Sequence, residues 1–145
     1  MRRRRATGPW TLTLVMSTML TVGCGPPPED PAITAYQQFN AAIRGGRADR
    51  LAALLTTDSR KALAQQLGLP ADASVEVVAE SLVIRSGWRQ ELAISDKPQI
   101  DAEASTETRR VVVVKAGEQV LKRIALVKEG EAWKVDLAEV AASNP

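Results

Sequence analysis

Histidine is absent from the 145 residues, cysteine occurs once, and aromatic side chains make up 3% of the chain. Each scarcity removes a class of chemistry. Without histidine there is no Ser-His-Asp triad, no imidazole proton shuttle and no His-ligated zinc. A lone cysteine cannot close an internal disulfide. The nine glycines never take the G-x-G-x-x-G or P-loop spacing that cradles phosphates. The scattered carboxylates never take the Asp-x-Asp-x-Asp-Gly spacing of a calcium loop. No cofactor and no metal is therefore expected, and the length suits a single domain.

Nineteen basic residues face seventeen acidic ones, a formal net charge of +2. Arg2, Arg3, Arg4 and Arg5 account for the excess: without them fifteen cations face seventeen acids, a net −2. The isoelectric point near 8.9 thus reflects the basic N-terminus, and nucleic-acid binding is not expected.

That N-terminus reads as an address. Behind the arginine block, Trp10 to Gly23 carries no charge. The run is shorter than the ~20 residues of a membrane span and matches the basic and apolar regions of a secretory signal. Cys24 stands at its end, after the small Gly23 and before Gly25-Pro26-Pro27-Pro28, whose prolines make a stiff extended tether. Leu20-Thr21-Val22-Gly23-Cys24 resembles the lipobox of bacterial lipoprotein precursors, with Thr21 in a slot where that family usually holds leucine. The resemblance implies cleavage after Gly23 and acylation of Cys24 by palmitate-type chains. At ~0.8 kcal/mol per buried methylene, several such chains hold a protein on a membrane. Glycine rather than aspartate follows the cysteine. By the same resemblance to Gram-negative lipoproteins, the periplasmic face of the outer membrane is the expected destination. Arg4-Arg5-Ala6-Thr7 lacks the apolar residues of a twin-arginine signal. The expected organisation is a signal peptide over 1–23, a lipidated cysteine and Pro-rich tether over 24–30, a domain over 31–140 and a tail over 141–145.

The domain reads as helices first and sheet second. Asp30-Pro31 suits a helix start, and Ile33, Tyr36, Phe39, Ala42 and Ile43 share one face until Gly45-Gly46. A short second helix over about 48–55 turns Leu51, Leu54 and Leu55 inward. Thr57-Asp58-Ser59 starts a third, carrying Leu63 and Leu67, which Gly68 and Pro70 stop. Ser74 caps a fourth, Val75 to Ile84, with Val75, Val78, Ala79 and Leu82 on one face. From Trp88 the period becomes two. Strands are expected over Glu91–Ser95, over the alternating run Ile100 to Ala104, over Arg109–Lys115 with both faces covered, over Val120–Lys128, and around Trp133, Val135 and Leu137. Pro98 marks an edge. Turns fall at 105–108, 116–118 and 129–131. Short connections imply an antiparallel meander, hence an α+β fold with N-terminal helices on one face of the sheet.

Two stretches carry a resemblance. One is Ala35-Tyr36-Gln-Gln-Phe39 through Asp49-Arg-Leu51-Ala-Ala-Leu54-Leu55, an aromatic-bearing helix, a turn and a Leu-rich helix. The other is Leu126-Val127-Lys128-Glu-Gly130-Glu-Ala-Trp133-Lys134-Val135, a closing hairpin. Over about residues 31–140 the chain resembles small bacterial lipoproteins with a nuclear-transport-factor-2-like or cystatin-like cone domain. That resemblance implies a curved sheet wrapped around the first helix, with Trp133 plugging the interface and Tyr36 and Phe39 facing it. These three are the candidate pocket or core residues.

Some cone-fold relatives are isomerases or cyclases that use an acid beside a tyrosine in the cone. Here Asp101, Glu103 and Asp136 alternate with apolar residues and are expected to point outward, away from Tyr36, so no catalytic residue is assigned. The basic residues Arg109, Arg110, Lys115, Lys122, Arg123, Lys128 and Lys134 read as a solvated sheet surface that blocks edge pairing. In the strand 120–128, Val120, Ile124 and Leu126 are expected inward, leaving Leu121, Ala125 and Val127 outside. The expected function is a membrane-anchored, non-catalytic interaction module that makes a homodimer or binds a protein partner through the outer sheet face. The alternative is a small apolar-ligand binder, or an isomerase- or cyclase-like enzyme, using the cone cavity.

Overall fold

The Asp30 carboxylate accepts the Ala32 amide at 2.9 Å, and Pro31 fills a first-turn position that needs no donor. The computed structural model describes residues 29–85 and 97–142. The elements run α1 (Pro31–Arg44), α2 (Ala48–Leu54), α3 (Thr57–Gln66), α4 (Val75–Ile84), β1 (Pro98–Ile100), β2 (Arg109–Ala116), β3 (Gln119–Glu129), β4 (Ala132–Asp136) and α5 (Ala138–Ala142).

Helical periodicity located α1 and α4 correctly. Ile33, Tyr36, Phe39, Ala42 and Ile43 are all buried. Gly46 turns the chain at φ +65°, a conformation that favours glycine. The Ser74 hydroxyl accepts the Val77 amide at 3.4 Å at the head of α4, which buries Val78, Ala79 and Leu82. The third helix is capped one turn earlier than Ser59, by the Thr56 hydroxyl on the Ser59 amide at 3.1 Å. In α2 the inward residues are Leu51 and Ala52. Leu54 is only half-buried, and Leu55 leaves the helix to bridge Val135.

The sheet is a four-stranded antiparallel meander in the order β1-β2-β3-β4. Both long hairpins close on a two-residue Gly-Glu loop, between Ala116 and Gln119 and between Glu129 and Ala132. Gly117 and Gly130 sit at φ +61° and +62°, the sign that a II′ turn asks of its first central residue. Val112, Val114, Ile124, Leu126 and Val135 join the helices in one core with Tyr36, Phe39, Leu51, Leu63 and Leu82. The architecture is α+β: among the described residues, five helices pack with an open four-stranded sheet.

Several expectations are corrected. The run Ile100 to Ala104 is not a strand beyond Ile100. The Asp101 amide still donates to the Val111 carbonyl at 2.9 Å. The Asp101 carboxylate, however, accepts the Ala104 amide at 3.3 Å and the Ser105 hydroxyl donates to the Asp101 carbonyl at 2.6 Å, so beyond Asp101 side-chain bonding turns the chain out of the ladder. Val120 is 39% exposed. A bulge between Val114 and Lys115 shifts the register and lifts Val120 off the core. All four valines 111–114 are buried, as a strand covered on both faces requires. Ala141 and Ala142, assigned to the tail, are the end of α5, which the alternating pattern of the last strand had hidden; residues 143–145 lie outside the described residues. The strand expected over Glu91–Ser95 lies outside the described residues.

Candidate functional site

Gly23 and Cys24 lie outside the described residues, as does the tether as far as residue 28. The tether's root is visible at Asp30. Tyr36 and Phe39 are 1% and 0% exposed and belong to the core. Trp133 does not plug the centre of the interface. It is half-buried and packs at the margin of the core, because β4 turns back at the end of the sheet where α1 begins. Tyr36 and Phe39 thus lie within the core, and Trp133 packs against it from the edge.

Trp133 instead takes part in a cluster at the tether root. The Arg110 guanidinium lies 5.6 Å from the centroid of its ring. Arg110 Nε donates to Asp30 Oδ2 at 3.3 Å, and Arg110 also donates to the Thr106 carbonyl. Both charged side chains are about 30% exposed, at 28% and 30%. One arginine thus joins the start of α1, the loop before β2, and β4.

A second polar cluster lies inside. Ser59 is fully buried. Its hydroxyl lies 2.7 Å from Thr56 Oγ1 and 3.2 Å from both the Val135 carbonyl and Asp136 Oδ1, and it accepts the Leu137 amide at 2.7 Å. Asp136, expected to point outward, turns back here and also accepts the Ala138 amide at 3.0 Å. The cluster fastens α3 to the β4–α5 junction. The Thr56-x-x-Ser59 spacing was its only sequence signal.

Of the seven basic strand residues, five meet acids. Arg109 reaches Glu139 at 2.9 Å, Arg110 reaches Asp30 at 3.3 Å, Arg123 reaches Asp101 at 2.8 Å, Lys128 reaches Glu131 at 4.0 Å and Lys134 reaches Glu129 at 3.3 Å. Lys115 and Lys122 meet no acid among the described residues. The pairings Val111↔Ala125 and Val113↔Arg123 put these four residues on the sheet face opposite Val112, Ile124 and Leu126, whereas Arg110 and Lys122, paired with Leu126 and Val114, lie on the helix side. On that outer face Leu121 is 39% exposed, and Ala125 and Val127 are half-buried.

Among the described residues, two clefts lie beside α1. One, of about 440 Å³ between α1 and α2, has an apolar floor that includes Ala42 and Leu54, with Arg47 and Arg50 at its rim. Arg47 donates to the Asp49 carboxylate at 3.2 and 3.1 Å, and that bond holds the Asp49 carboxyl below its ordinary range. The other, of about 310 Å³, touches Tyr36, Gln37, Arg44 and Lys97, and the described residues lining it carry no carboxylate. On α4, the Glu76 carboxyl is also lowered, first by its own backbone amide and then by the Ser74 hydroxyl. Among the described residues no group of three or more acidic or sulfur ligands could hold a metal, and no helix is long and apolar enough to cross a membrane.

Comparison of the chain with protein-family models, curated proteins and solved structures gave no match.

Proposed function

We propose that the protein is a lipoprotein anchored through Cys24 at the periplasmic face of the outer membrane. Its α+β domain serves as a non-catalytic interaction module and engages a second copy or a protein partner through the outer sheet face. The observation that carries the module reading is the two-sidedness of β3. Ile124 and Leu126 are fully buried against the helices, while on the opposite face, beside the buried Val111 and Val113, Leu121 is exposed and Ala125 and Val127 are half-buried.

The anchor reading rests on the residues around Cys24, and the tether root fits it. Asp30 lies six positions after Cys24, a reach of about 19 Å in extended proline-rich chain. The end of the domain that carries Asp30, Arg110 and Trp133 then stands nearest the bilayer.

Two measurements test the two halves separately. Labelled palmitate should enter the wild-type protein and not Cys24→Ser; absence of label in the wild type overturns the anchor. Sedimentation of acyl-free protein lacking residues 1–24 should show self-association that Leu121→Asp weakens. A monomer at high micromolar concentration that also ignores every co-expressed periplasmic protein overturns the outer-face module. A ligand mass retained in native mass spectrometry would instead favour a small apolar ligand held beside α1, where the cleft between α1 and α2 has its apolar floor.

A further inference from the structure

Among the described residues, every sheet edge is guarded except one. The outer edge of β1 is three residues long and begins with Pro98, which has no N–H to offer. The outer edge of β4 is occupied: Leu55 bridges Val135 in parallel, and the Thr56 amide donates to the Val135 carbonyl at 3.1 Å. β3 is different. It spans eleven residues, yet β4 pairs only with Ala125 to Glu129. From Gln119 to Ile124, β3 has β2 on one side and, among the described residues, no strand on the other. The chain turns away after Asp136, and α5 packs on α3 rather than along this edge.

The open edge is also accessible. Residues 115–121 are all exposed, and Val120 and Leu121 stand 39% exposed beside one another. An uncovered strand edge with apolar side chains invites an added strand.

Charge decides which strand. Between Lys115 and Ile124 the chain carries three cations, Lys115, Lys122 and Arg123, and one acid, Glu118. Arg123 is bound to Asp101 at 2.8 Å, whereas Lys115 and Lys122 have no partner among the described residues. Two copies of this edge laid side by side would gather four uncompensated lysines, an arrangement that disfavours self-pairing. The same lysines attract carboxylates. We infer that residues 119–124 of β3 accept, as an added strand, an extended segment of a partner protein in which acidic and apolar residues alternate. Backbone bonds would supply the pairing, Val120 and Leu121 the apolar contact, and Lys115 and Lys122 the selection. The inference rests on the reading of the domain as an interaction module but uses an edge, not the outer face.

The test uses the full chain in detergent micelles and a blocked, fluorescent hexapeptide of alternating glutamate and valine. Expected is saturable binding, with slower hydrogen exchange at the amides of residues 119–124. A peptide methylated at alternate backbone nitrogens should not bind, since it keeps the charges and loses the ladder. Lys115→Glu combined with Lys122→Glu should weaken the acidic peptide about tenfold and admit a lysine–valine peptide in its place. The inference is overturned by any of three results: no saturation up to millimolar peptide, equal binding of the methylated peptide, or edge amides already protected in a peptide-free dimer. Loss of peptide binding with outer-face association intact would sink the edge proposal alone. Loss of both would remove the module reading as well.

Discussion

The Arg110 guanidinium lies 5.6 Å from the centroid of the Trp133 ring while its Nε donates to Asp30 Oδ2 at 3.3 Å. A cation over an aromatic face contributes ~0.5–1 kcal/mol, and a partly screened ion pair a similar amount. Arg110→Ala should therefore lower stability by about 1–2 kcal/mol, read as the urea midpoint. Arg110→Lys should recover part of this, because an ammonium keeps the charge but not the planar stacking. No shift in the midpoint of Arg110→Ala would show that the cluster holds nothing.

Ser59→Ala should cost about 1–3 kcal/mol, because it strands the buried Leu137 amide and removes the link to the Val135 carbonyl and Asp136. The α3–α5 contact should loosen first, visible as faster hydrogen exchange at Leu137 and Ala138 than elsewhere in the domain.

The two aromatics, one central and one marginal, should rank in order. Phe39 is fully buried, so Phe39→Ala should cost about 3–5 kcal/mol. Trp133 keeps part of its surface in solvent, so Trp133→Ala should cost less despite the larger ring. Paired urea titrations decide it, and the reverse order would mean that Trp133 is buried more deeply than its exposure indicates.

Gly130→Ala isolates a backbone effect. A Cβ there meets nothing within 4 Å, yet φ is +62°. The expected loss is about 1–2 kcal/mol, from left-handed strain alone, and Gly130→Asn should lose less, since asparagine tolerates that region. Equal losses would point to side-chain crowding instead.

Acid should destabilise the domain partly through Asp49 and Glu76. Both carboxyls are lowered in the folded protein, by the Arg47 bond and by the Glu76 amide with the Ser74 hydroxyl. The unfolded chain takes up protons first as pH falls. Their contribution is therefore complete above the ordinary carboxylate range and is lost as pH drops through the lowered folded values. Asp49→Asn with Glu76→Gln should flatten that acid limb of the stability curve, and an unchanged limb would contradict the assignment.

Much of this architecture was legible in one dimension because its causes are local. Ile33, Tyr36, Phe39, Ala42 and Ile43 declare α1 by spacing, Ser74 declares the head of α4, and Gly117 and Gly130 declare the hairpins. What was misread depended on partners distant in sequence or on a single displaced residue. Nothing near Arg110 announces Asp30, 80 positions earlier, and nothing near Leu137 announces Ser59, 78 positions earlier. The bulge at Val114/Lys115 inverts the expected side of Val120 because a strand's faces alternate with period two. Asp101 ends the strand that its alternation promised because its carboxylate accepts the Ala104 amide three residues on, which turns the chain out of the sheet.

The order of elements from α1 to β4, the antiparallel sheet and the apolar stripes of α1 and α4 were thus determined by the amino-acid sequence alone, since periodicity, caps and turn glycines act within a few residues. Only the tertiary structure decided which cations are neutralised, where Trp133 rests, and which strand edge stays open. Those outcomes depend on how the ends of β4, α1 and α5 meet in space, and no local spacing encodes that meeting.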